Sequence, residues 1–479
     1  MVEARIVREL TALLGPERVV GDPHDLIVYE CDGLTLERAT PGVVVLPETA
    51  EEVARIVKIA HREQLPFVAR GAGTGLSGGC LDLGGGIIIS MARMDRILEV
   101  DFDSRLAMVE PGLVNLWLTN AVSKHGFLYA PDPSSQSACT IGGNVAENSG
   151  GPHTLKYGTT TNHVLGLEVV LPDGEIVWLG GRVQDRPGYD LTGVFVGSEG
   201  TFGIATKVVV RLLPAPEAVL TMLGVFETMD DAGNTVSQII REGIVPAALE
   251  IMDQLTTQAV EDYIHAGYPR DAGAVLLVEL DGPRAGMALQ ADRITRICRE
   301  NHAREVRIAK DDEERQKLWK GRKSAFGAYG RITPNFYVMD GVVPRTRLPE
   351  ILRQIEEIGA RHGLRIANVF HAGDGNLHPM VLYDGRIPEQ TSRALQCGEE
   401  ILRACVDLGG ALTGEHGIGV EKQNFMPMMF SPADLAAMER LKQVFSPDNL
   451  CNPGKIFPNP SHHGETTQRM PGIPGGAWI

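Results

Sequence analysis

Two histidines lie on either side of a glycine-containing turn in the second half of the chain. His371 and His378 flank Asp374-Gly375, a dipeptide typical of a two-residue hairpin loop. In such a hairpin the two histidines are directly opposite, with Cβ atoms about 4.5–5.5 Å apart. Imidazoles at that separation can bind one metal ion, so the spacing predicts a metal site. The alternative is a surface hairpin with two unrelated histidines.

A second short motif adds a carboxylate and a third imidazole. Glu415 and His416 lie between Gly414 and Gly417. We expect Glu415 to complete a set of two neutral imidazoles and one carboxylate, with open positions for substrate oxygens. His416 is the predicted general base, because an imidazole with a pKa of about 6.5 can accept a proton near neutral pH. Adjacent residues on a strand point to opposite faces, so both side chains reach one site only from an irregular loop, which the glycines permit.

Composition limits the classes of protein that these motifs could belong to. The chain of 479 residues is long enough for two or three domains. Its net charge of −16 argues against a nucleic-acid partner. The seven cysteines include no CxxC pair, so neither a disulfide framework nor an iron–sulfur cluster is predicted, and a reducing cytoplasmic compartment is expected. Residues 1–20 read as an amphipathic helix, and no apolar run is long enough to span a membrane.

Strands and helices alternate along the chain, which predicts an α+β fold. The patterns change near residue 215, where a second domain is expected to begin. The predicted strands are residues 43–46, 66–69, 86–90, 167–171, 175–178 and 274–280, and the clearest helices are residues 231–241 and 348–362.

Three glycine-rich loops could position the two halves of an extended dinucleotide. Residues 71–77, 140–144 and 199–203 can each bring backbone N–H groups close to a ligand. The first loop is neither a Rossmann fingerprint, since no acidic residue follows at the right distance, nor a Walker loop. Together the loops predict a dinucleotide bound by backbone at three places.

The same segments carry a resemblance to a known family. Residues 70–79, 139–148 and 197–204 resemble the PCMH-type FAD-binding domain of the vanillyl-alcohol oxidase flavoprotein family. The resemblance continues through Trp319-Lys-Gly-Arg322, the two histidine motifs and residues 452–455, and covers roughly residues 40 to 456. Within that family the chain is most similar to FAD-linked D-2-hydroxy acid dehydrogenases, particularly the flavin subunits of glycolate oxidases.

The resemblance implies a domain arrangement and a cofactor. The composition of residues 458–479, rich in Pro, Gly, Ser and His, separately predicts a disordered tail. The resemblance implies a two-subdomain FAD-binding domain over residues 1–215 (core 38–215), an α+β substrate-binding cap domain over 216–425 and a C-terminal helical segment over 426–457. Because residues 70–79 contain no histidine, it implies non-covalent FAD. The implied FAD contacts are Arg70, Gly71, Ala72, Gly73, Thr74, Gly75, Leu76, Ser77, Pro131, Asp132, Ser135, Thr140, Gly142, Gly143, Asn144, Gly151, Glu199, Gly200, Ile204 and Asn452.

Candidates for binding a substrate carboxylate lie between the two halves of the site. Arg322 is preferred, because guanidinium binds carboxylate bidentately and the resemblance favours it. Arg331 and Lys323 are weaker candidates, and Asn376 could donate a hydrogen bond from the turn between the histidines. Hydroxyglutarate-type relatives have polar residues for a second carboxylate where this chain has Phe326 and Val338, which favours a small monocarboxylate.

The resulting hypothesis is metal-assisted oxidation of glycolate or D-lactate to the 2-oxo acid, with hydride transfer to FAD and Zn, Mn or Fe as the metal. The alternatives are a D-2-hydroxyglutarate dehydrogenase and a non-redox flavoprotein like the alkylglycerone-phosphate synthases; the paired histidines argue against the latter. A metallohydrolase with purely structural glycine loops is a third. The resemblance implies flavin and iron–sulfur partner subunits as electron acceptors and peripheral location at the inner face of a membrane; a homodimer is also considered.

Overall fold

The structure, a computed structural model, describes residues 2–183 and 187–459. Most of the predicted tail, residues 460–479, lies outside the described residues. The elements of the first part are α1 (Ala4–Leu14), β1 (Val19–Val20), α2 (Pro23–Leu26), β2 (Val43–Val45), α3 (Ala50–Arg62), β3 (Phe67–Arg70), β4 (Ile87–Ser90), β5 (Ile97–Asp101), β6 (Leu106–Val109), α4 (Asn115–Ser123), β7 (Phe127–Leu128), α5 (Ile141–Glu147), α6 (Thr154–Tyr157), β8 (Val164–Val170), β9 (Ile176–Gly180), α7 (Leu191–Phe195), β10 (Ile204–Arg211) and β11 (Leu213–Pro214).

The second part of the chain forms a larger sheet with its own helices. Its elements are β12 (Ala218–Phe226), α8 (Met229–Arg241), β13 (Ala248–Asp253), α9 (Gln254–Ile264), β14 (Ala274–Gly282), α10 (Met287–Glu300), β15 (Glu305–Ile308), α11 (Asp312–Lys323), α12 (Ala325–Tyr329), β16 (Asn335–Val338), α13 (Leu348–His362), β17 (Arg365–His371), β18 (Pro379–Tyr383), α14 (Pro388–Asp407) and α15 (Pro432–Phe445). The mixture of helices and sheets confirms the predicted α+β class. The predicted strands and helices from residue 43 onwards are present with ends shifted by at most a few residues. The helix predicted over residues 1–20 is too long, because Gly15 and Pro16 end α1 at Leu14 and Val19–Val20 form β1.

Two sheets in the first part position the glycine-rich loops. The smaller sheet has the order β1-β2-β4-β3, and β2, β3 and β4 run parallel. Every residue of β2 and β4 is buried, which explains their unbroken Val and Ile runs. The larger sheet has the order β5-β6-β10-β8-β9 and is antiparallel. The first glycine loop follows β3 directly, and the third ends where β10 begins.

The seven-stranded sheet of the second part carries the histidines. Its order is β15-β12-β14-β13-β17-β18-β16. Apolar side chains cover both of its faces, one cluster including Leu276 and Phe370 and the other Leu277 and Val369. Within this sheet β13 and β17 are antiparallel neighbours, and Glu250 pairs directly with His371. A rigid, buried strand pair therefore fixes the backbone of the first predicted metal ligand.

The predicted register of the histidine hairpin is wrong by two residues. His371 pairs with Asn376 rather than His378, and its N–H donates to the Asn376 carbonyl. The loop between the paired residues is 372–375, four residues instead of the predicted two, and an Asp374 carboxylate oxygen accepts the Asn376 N–H at 3.0 Å within it. His371 and His378 are then diagonal neighbours on one face, and their ring centroids are 5.1 Å apart. At this separation the two imidazoles can still bind one metal ion.

The C-terminal segment returns to the first part of the chain. The Phe67 N–H donates to the Leu450 carbonyl, and the Asn452 N–H donates to the Phe67 carbonyl. The Asn452 amide also donates to the carbonyls of Gly79 and Glu199 at 2.9 and 2.7 Å. Through Asn452, this segment thus links the end of the first glycine loop to the third loop by hydrogen bonds.

Candidate active site

One cavity of about 370 Å³ runs from the glycine-rich loops to the histidine motifs. At one end its wall is formed by the first and second glycine loops. At the other end it is formed by Lys323, Phe326, His378, Glu415 and His416. The sheets of both parts of the chain therefore contribute to one continuous space, in which a ligand held by the loops would face the histidines.

The first loop has the properties of an anion cradle. In the described part of the chain, the backbone N–H groups of residues 72–77 donate to no protein acceptor. The loop turns through Gly73 with φ 68° and Gly78 with φ 74°, conformations that favour glycine. Backbone N–H groups without protein acceptors, in a loop that turns through positive-φ glycines, suit the pyrophosphate of a dinucleotide. The residues present therefore fit FAD.

Most of the predicted FAD contacts line this cavity. They are Gly71, Ala72, Gly73, Thr74, Gly75, Leu76, Ser135, Thr140, Gly142, Gly143, Asn144, Glu199, Gly200 and Ile204. The other predicted contacts lie behind the wall and support it: Arg70, Ser77, Pro131, Asp132, Gly151 and Asn452. The Arg70 guanidinium, for example, donates to the Cys31 carbonyl at 2.8 Å instead of reaching into the cavity.

Asp132 forms an ion pair that joins the two parts of the chain. His153 lies between Asp132, at 2.8 Å from Nδ1, and Glu279 of β14, at 3.1 Å from Nε2. The Trp319 ring stacks on His153 and its N–H donates to Glu279. Burial alone would lower the pKa of His153, but the two carboxylates outweigh it and raise the pKa to about 10. His153 is therefore a cation at neutral pH that holds the sheets together.

Stability should consequently fall on the alkaline side when His153 loses its proton. Since the pKa of His153 is raised on folding, the stabilisation is complete below about pH 6.5 and is lost as pH rises through about 10. Urea unfolding should show His153→Gln less stable than the unmodified protein by on the order of 2–4 kcal/mol at pH 6.5, with the difference shrinking towards pH 10. His61→Gln, which removes an exposed pair with Asp448, is the control. A difference independent of pH would contradict the assignment.

The three predicted metal ligands come together. The ligand atoms of His371, His378 and Glu415 all lie within 4.8 Å of one another. One Glu415 oxygen is 3.2 Å from His371 Nε2 and 3.1 Å from His378 Nε2. Burial favours the neutral acid, yet the two imidazoles hold the pKa of Glu415 well below its usual range. Two imidazole nitrogens and one carboxylate facing a cavity are a donor set that fits a divalent cation.

Glu250 orients the first of these ligands and was missed from the sequence. Its carboxylate accepts from His371 Nδ1 at 2.8 Å, which leaves Nε2 for the cluster. The same carboxylate accepts from Arg322 Nε at 2.7 Å, and both side chains are buried. Arg322, the predicted substrate clamp, is thus paired with an internal carboxylate and is not on the cavity wall. An acidic residue inside the apolar strand Leu249-Glu250-Ile251 is the signal that could have found Glu250.

Asp340 organises the loop of Glu415 and His416 and was also missed. Its buried carboxylate accepts the backbone N–H groups of Gly414 and His416 at 3.1 and 2.9 Å, and Lys422 is 3.4 Å away. Burial would raise the pKa of Asp340, but nearby positive charge, including Lys422, lowers it to about 2. These bonds bend the chain sharply, so adjacent side chains reach one site, as the glycines predicted.

His416 lies beside the metal-type cluster and on the cavity wall. Its ring stacks on His378 with centroids 5.0 Å apart and planes 5° from parallel. Nδ1 lies on the side of Asp340, 4.0 Å from a carboxylate oxygen and without a hydrogen-bond partner among the described residues. Burial lowers the pKa of His416 to about 4, despite the opposing effect of Asp340. The imidazole is neutral at pH 7, the form that can accept a proton.

The remaining predicted substrate residues are placed differently. Arg331 is exposed, donates to the Asp262 carbonyl and lies over the Tyr263 ring, so it does not belong to the site. Asn376 is buried against Gly414, next to the ligand loop but behind the cavity wall. Lys323, considered the weaker candidate, lines the cavity.

The fold and this site define a flavin-dependent oxidoreductase. Family descriptions match most of the chain: "FAD binding domain" at residues 41–180 and "FAD linked oxidases, C-terminal domain" at residues 215–456. The chain belongs to the FAD-linked oxidase family.

Curated relatives are similar over almost the whole length. The chain is 48% identical to "Glycolate oxidase subunit GlcD" of Escherichia coli strain K12, over 91% of this chain and 87% of the relative. It is 40% identical to the protein of the same name from Bacillus subtilis, over 95% and 97%. It is 33% identical to "D-lactate dehydrogenase" of Anaerostipes hadrus, over 92% and 95%.

Solved structures show the same fold at low sequence identity. A p-cresol methylhydroxylase with bound substrate has a TM-score of 0.76 at 20% identity, covering 94% of this chain and 96% of that one. An alkyldihydroxyacetonephosphate synthase has a TM-score of 0.74, also at 20% identity, covering 95% and 85%. These likenesses confirm the predicted PCMH-type fold. Among the described residues, no helix is both long and apolar enough to cross a membrane.

Proposed function

We propose that the protein oxidises a small 2-hydroxy acid, glycolate or D-lactate, to the 2-oxo acid. The observation that carries the proposal is the single cavity that joins the glycine-loop cradle to His378, Glu415 and His416. The names of the relatives, glycolate oxidase subunit and D-lactate dehydrogenase, support the same substrate class. Phe326 lies on the wall near His378, with ring centroids 6.5 Å apart, and favours a short substrate without a second carboxylate.

FAD, when bound in the cavity, supplies the two-electron acceptor for the hydride from the substrate Cα. The glycine loops would hold its pyrophosphate through backbone N–H groups, which leaves the histidine end for the substrate. The predicted FAD contacts that line the cavity remain the proposed binding residues.

We propose that His371, His378 and Glu415 hold a divalent cation, Zn, Mn or Fe. Such a cation would supply Lewis acidity towards the substrate hydroxyl and carboxylate. Glu250 supports the arrangement because its bond to His371 Nδ1 fixes which nitrogen faces the cluster.

His416 is the proposed general base. Its neutral imidazole would take the hydroxyl proton at Nε2 while the hydride leaves the adjacent carbon, so the alcohol loses two electrons and two hydrogens. Asp340 holds the loop backbone and lies near Nδ1, which orients the ring and stabilises the imidazolium that forms. Asn376 is proposed to support the Gly414 turn, and Arg322 to act through Glu250.

We further propose that residues 1–215 act as the FAD-binding domain and residues 216–425 as the cap domain. Residues 426–457 would form the C-terminal segment that packs back against the FAD-binding domain. Electrons would pass to partner subunits, since the similar proteins are named as subunits.

The test is anaerobic reduction of the purified holoenzyme, with FAD and divalent cation supplied. Glycolate or D-lactate should bleach the visible flavin absorbance, and D-2-hydroxyglutarate should do so more slowly because the apolar Phe326 on the wall beside His378 offers no partner to a second carboxylate. Ranking the initial rates identifies the substrate. Failure of all three acids to bleach the flavin would overturn the proposed function.

A further inference from the structure

The loop of residues 414–421 carries one proposed metal ligand and the proposed base, and it is held from two sides. Asp340, in the second part of the chain, accepts N–H groups at the beginning of the loop. Further along, the two carboxylate oxygens of Glu199 accept the N–H groups of Ile418 and Gly419 at 2.7 and 2.6 Å. Glu199 belongs to the third glycine loop, so a single side chain connects the wall of the cofactor cavity to the 414–421 loop.

The first glycine loop holds the same segment through its backbone. The Ser77 carbonyl accepts the N–H groups of Val420 and Glu421 at 2.9 and 3.2 Å. The two backbones approach closely, because a Cβ on Gly419, whose φ is 52°, would lie 2.1 Å from that carbonyl oxygen. Four consecutive N–H groups of the 414–421 loop therefore donate to acceptors that the glycine-rich loops supply.

These acceptors lie on loops that a bound dinucleotide would restrain. Residues 71–76 and Glu199-Gly200 line the cavity, so the ligand contacts the same loops that hold the 414–421 loop. The backbone of Glu199 is left-handed, with φ 51°, a conformation that surrounding contacts must maintain in a residue other than glycine. In the described part of the chain, the N–H groups of residues 72–77 have no protein acceptor, so a ligand that accepts them adds restraint to the first loop.

We propose that FAD binding orders the 414–421 loop through Glu199 and Ser77, so that FAD and the divalent cation strengthen each other's binding. The inference rests on the proposed function, because it concerns the same base and the same metal cluster. Glu199 is a positioning residue here, since both of its carboxylate oxygens are bound to the backbone of the loop. Linkage requires the two effects to be equal: the factor by which FAD strengthens cation binding is the factor by which the cation strengthens FAD binding.

A purely structural role for these hydrogen bonds gives a different result. Bonds that are equally firm with and without FAD stabilise the folded chain but leave cation affinity independent of FAD. Glu168 provides the matched control, because it is also a buried acid of the first part of the chain. Its partners, Thr206 and Lys207, lie on the neighbouring strand β10, so Glu168→Gln removes a buried carboxylate that does not hold the 414–421 loop.

The experiment uses the full chain, stripped of FAD and again after FAD has been restored. Hydrogen exchange of peptides that cover residues 414–421 reports the order of the loop, and competition with a chelator gives the affinity for Zn²⁺. In the unmodified protein, FAD should slow exchange in this loop by about tenfold or more. It should strengthen Zn²⁺ binding by about 5- to 150-fold, the usual range of coupling between two sites.

Two substitutions at Glu199 remove the connection in different ways. Glu199→Gln keeps one acceptor oxygen but turns an amide donor towards the second N–H group. Glu199→Gly removes both acceptors and suits the left-handed backbone, so this variant should fold even if the glutamine variant does not. In both variants the effect of FAD on loop exchange and on Zn²⁺ affinity should fall to about twofold or less, whereas Glu168→Gln should match the unmodified protein.

The outcomes separate this proposal from the proposed function. Loop exchange and Zn²⁺ affinity that do not respond to FAD in the unmodified protein would overturn the proposal, as would full coupling in both Glu199 variants. Absence of Zn²⁺ binding in either state would overturn the cation site and the mutual strengthening, while the exchange data still decide whether FAD orders the loop. Neither measurement uses a hydroxy acid, so failure of all three acids to bleach the flavin would overturn the proposed function alone.

Discussion

His371→Ala is expected to lose its divalent cation and nearly all turnover while it keeps FAD. The imidazole provides one of three ligand atoms that lie within 4.8 Å of one another. Without it, His378 and Glu415 are the only ligands of the set that remain, and two ligands are too few to retain the ion. Lewis-acid stabilisation of the developing alkoxide is worth several kcal/mol, so flavin reduction by glycolate should slow by about 10³-fold or more. FAD should remain because the glycine loops belong to other sheets.

Three measurements separate these effects. The metal content of the purified variant and its anaerobic flavin reduction rate should both fall. Its flavin-to-protein ratio should stay the same. His24→Ala, which removes an exposed histidine that does not line the cavity, is the matched control for metal picked up by a histidine side chain. Full activity in His371→Ala, or unchanged metal content, would remove the metal from the mechanism.

Removal of His371 also affects the hydrogen bonds of Glu250 behind it. Glu250 would lose one of its two partners and remain buried with Arg322. Because that ion pair stays intact, the variant should fold, whereas Glu250→Ala would leave Arg322 as an unpaired buried cation. His371→Ala is therefore the cleaner test of the metal, and its loss of turnover can be attributed to the ligand itself.

Local sequence signals predicted the parts of the site that depend on short-range chemistry. The glycine runs indicated the backbone loops, and the motifs around His371 and Glu415 indicated the cluster, since each signal is contained in fewer than ten residues. The hairpin register could not be obtained in this way. It depends on the Asp374 side chain accepting the Asn376 N–H and on the pairing of His371 with Glu250, an interaction between distant parts of the chain.

The residues missed from the sequence act through long-range contacts. Asp340 binds backbone N–H groups more than seventy positions away, and Glu250 bridges two strands and a helix. A single acidic residue in an apolar strand hints at a buried role but does not identify its partner. The same limitation led to the preference for Arg322 over Lys323: the residue types suggested a clamp, but only the helix orientation reveals which of the two faces the cavity.

His416→Gln is expected to slow flavin reduction by about 10²- to 10⁴-fold, the usual contribution of a general base. The glutamine amide keeps hydrogen-bonding capacity but cannot accept the hydroxyl proton. Unlike His371→Ala, this variant should retain both metal and FAD, because His416 is not one of the three proposed ligands, His371, His378 and Glu415, and its backbone N–H still binds Asp340. The ratio of metal to flavin therefore distinguishes the two losses of activity.

Chemical rescue by imidazole tests the role of His416 as general base more directly than His416→Gln alone. His416→Gly should leave a gap beside His378, on which the native ring stacks at 5.0 Å, and added imidazole should restore part of the flavin reduction rate. The rescue should saturate with imidazole concentration and should be absent in His371→Ala, where the cation rather than the base is missing. A His416→Gln enzyme that reduces its flavin at the native rate would instead assign proton abstraction to another group on the wall.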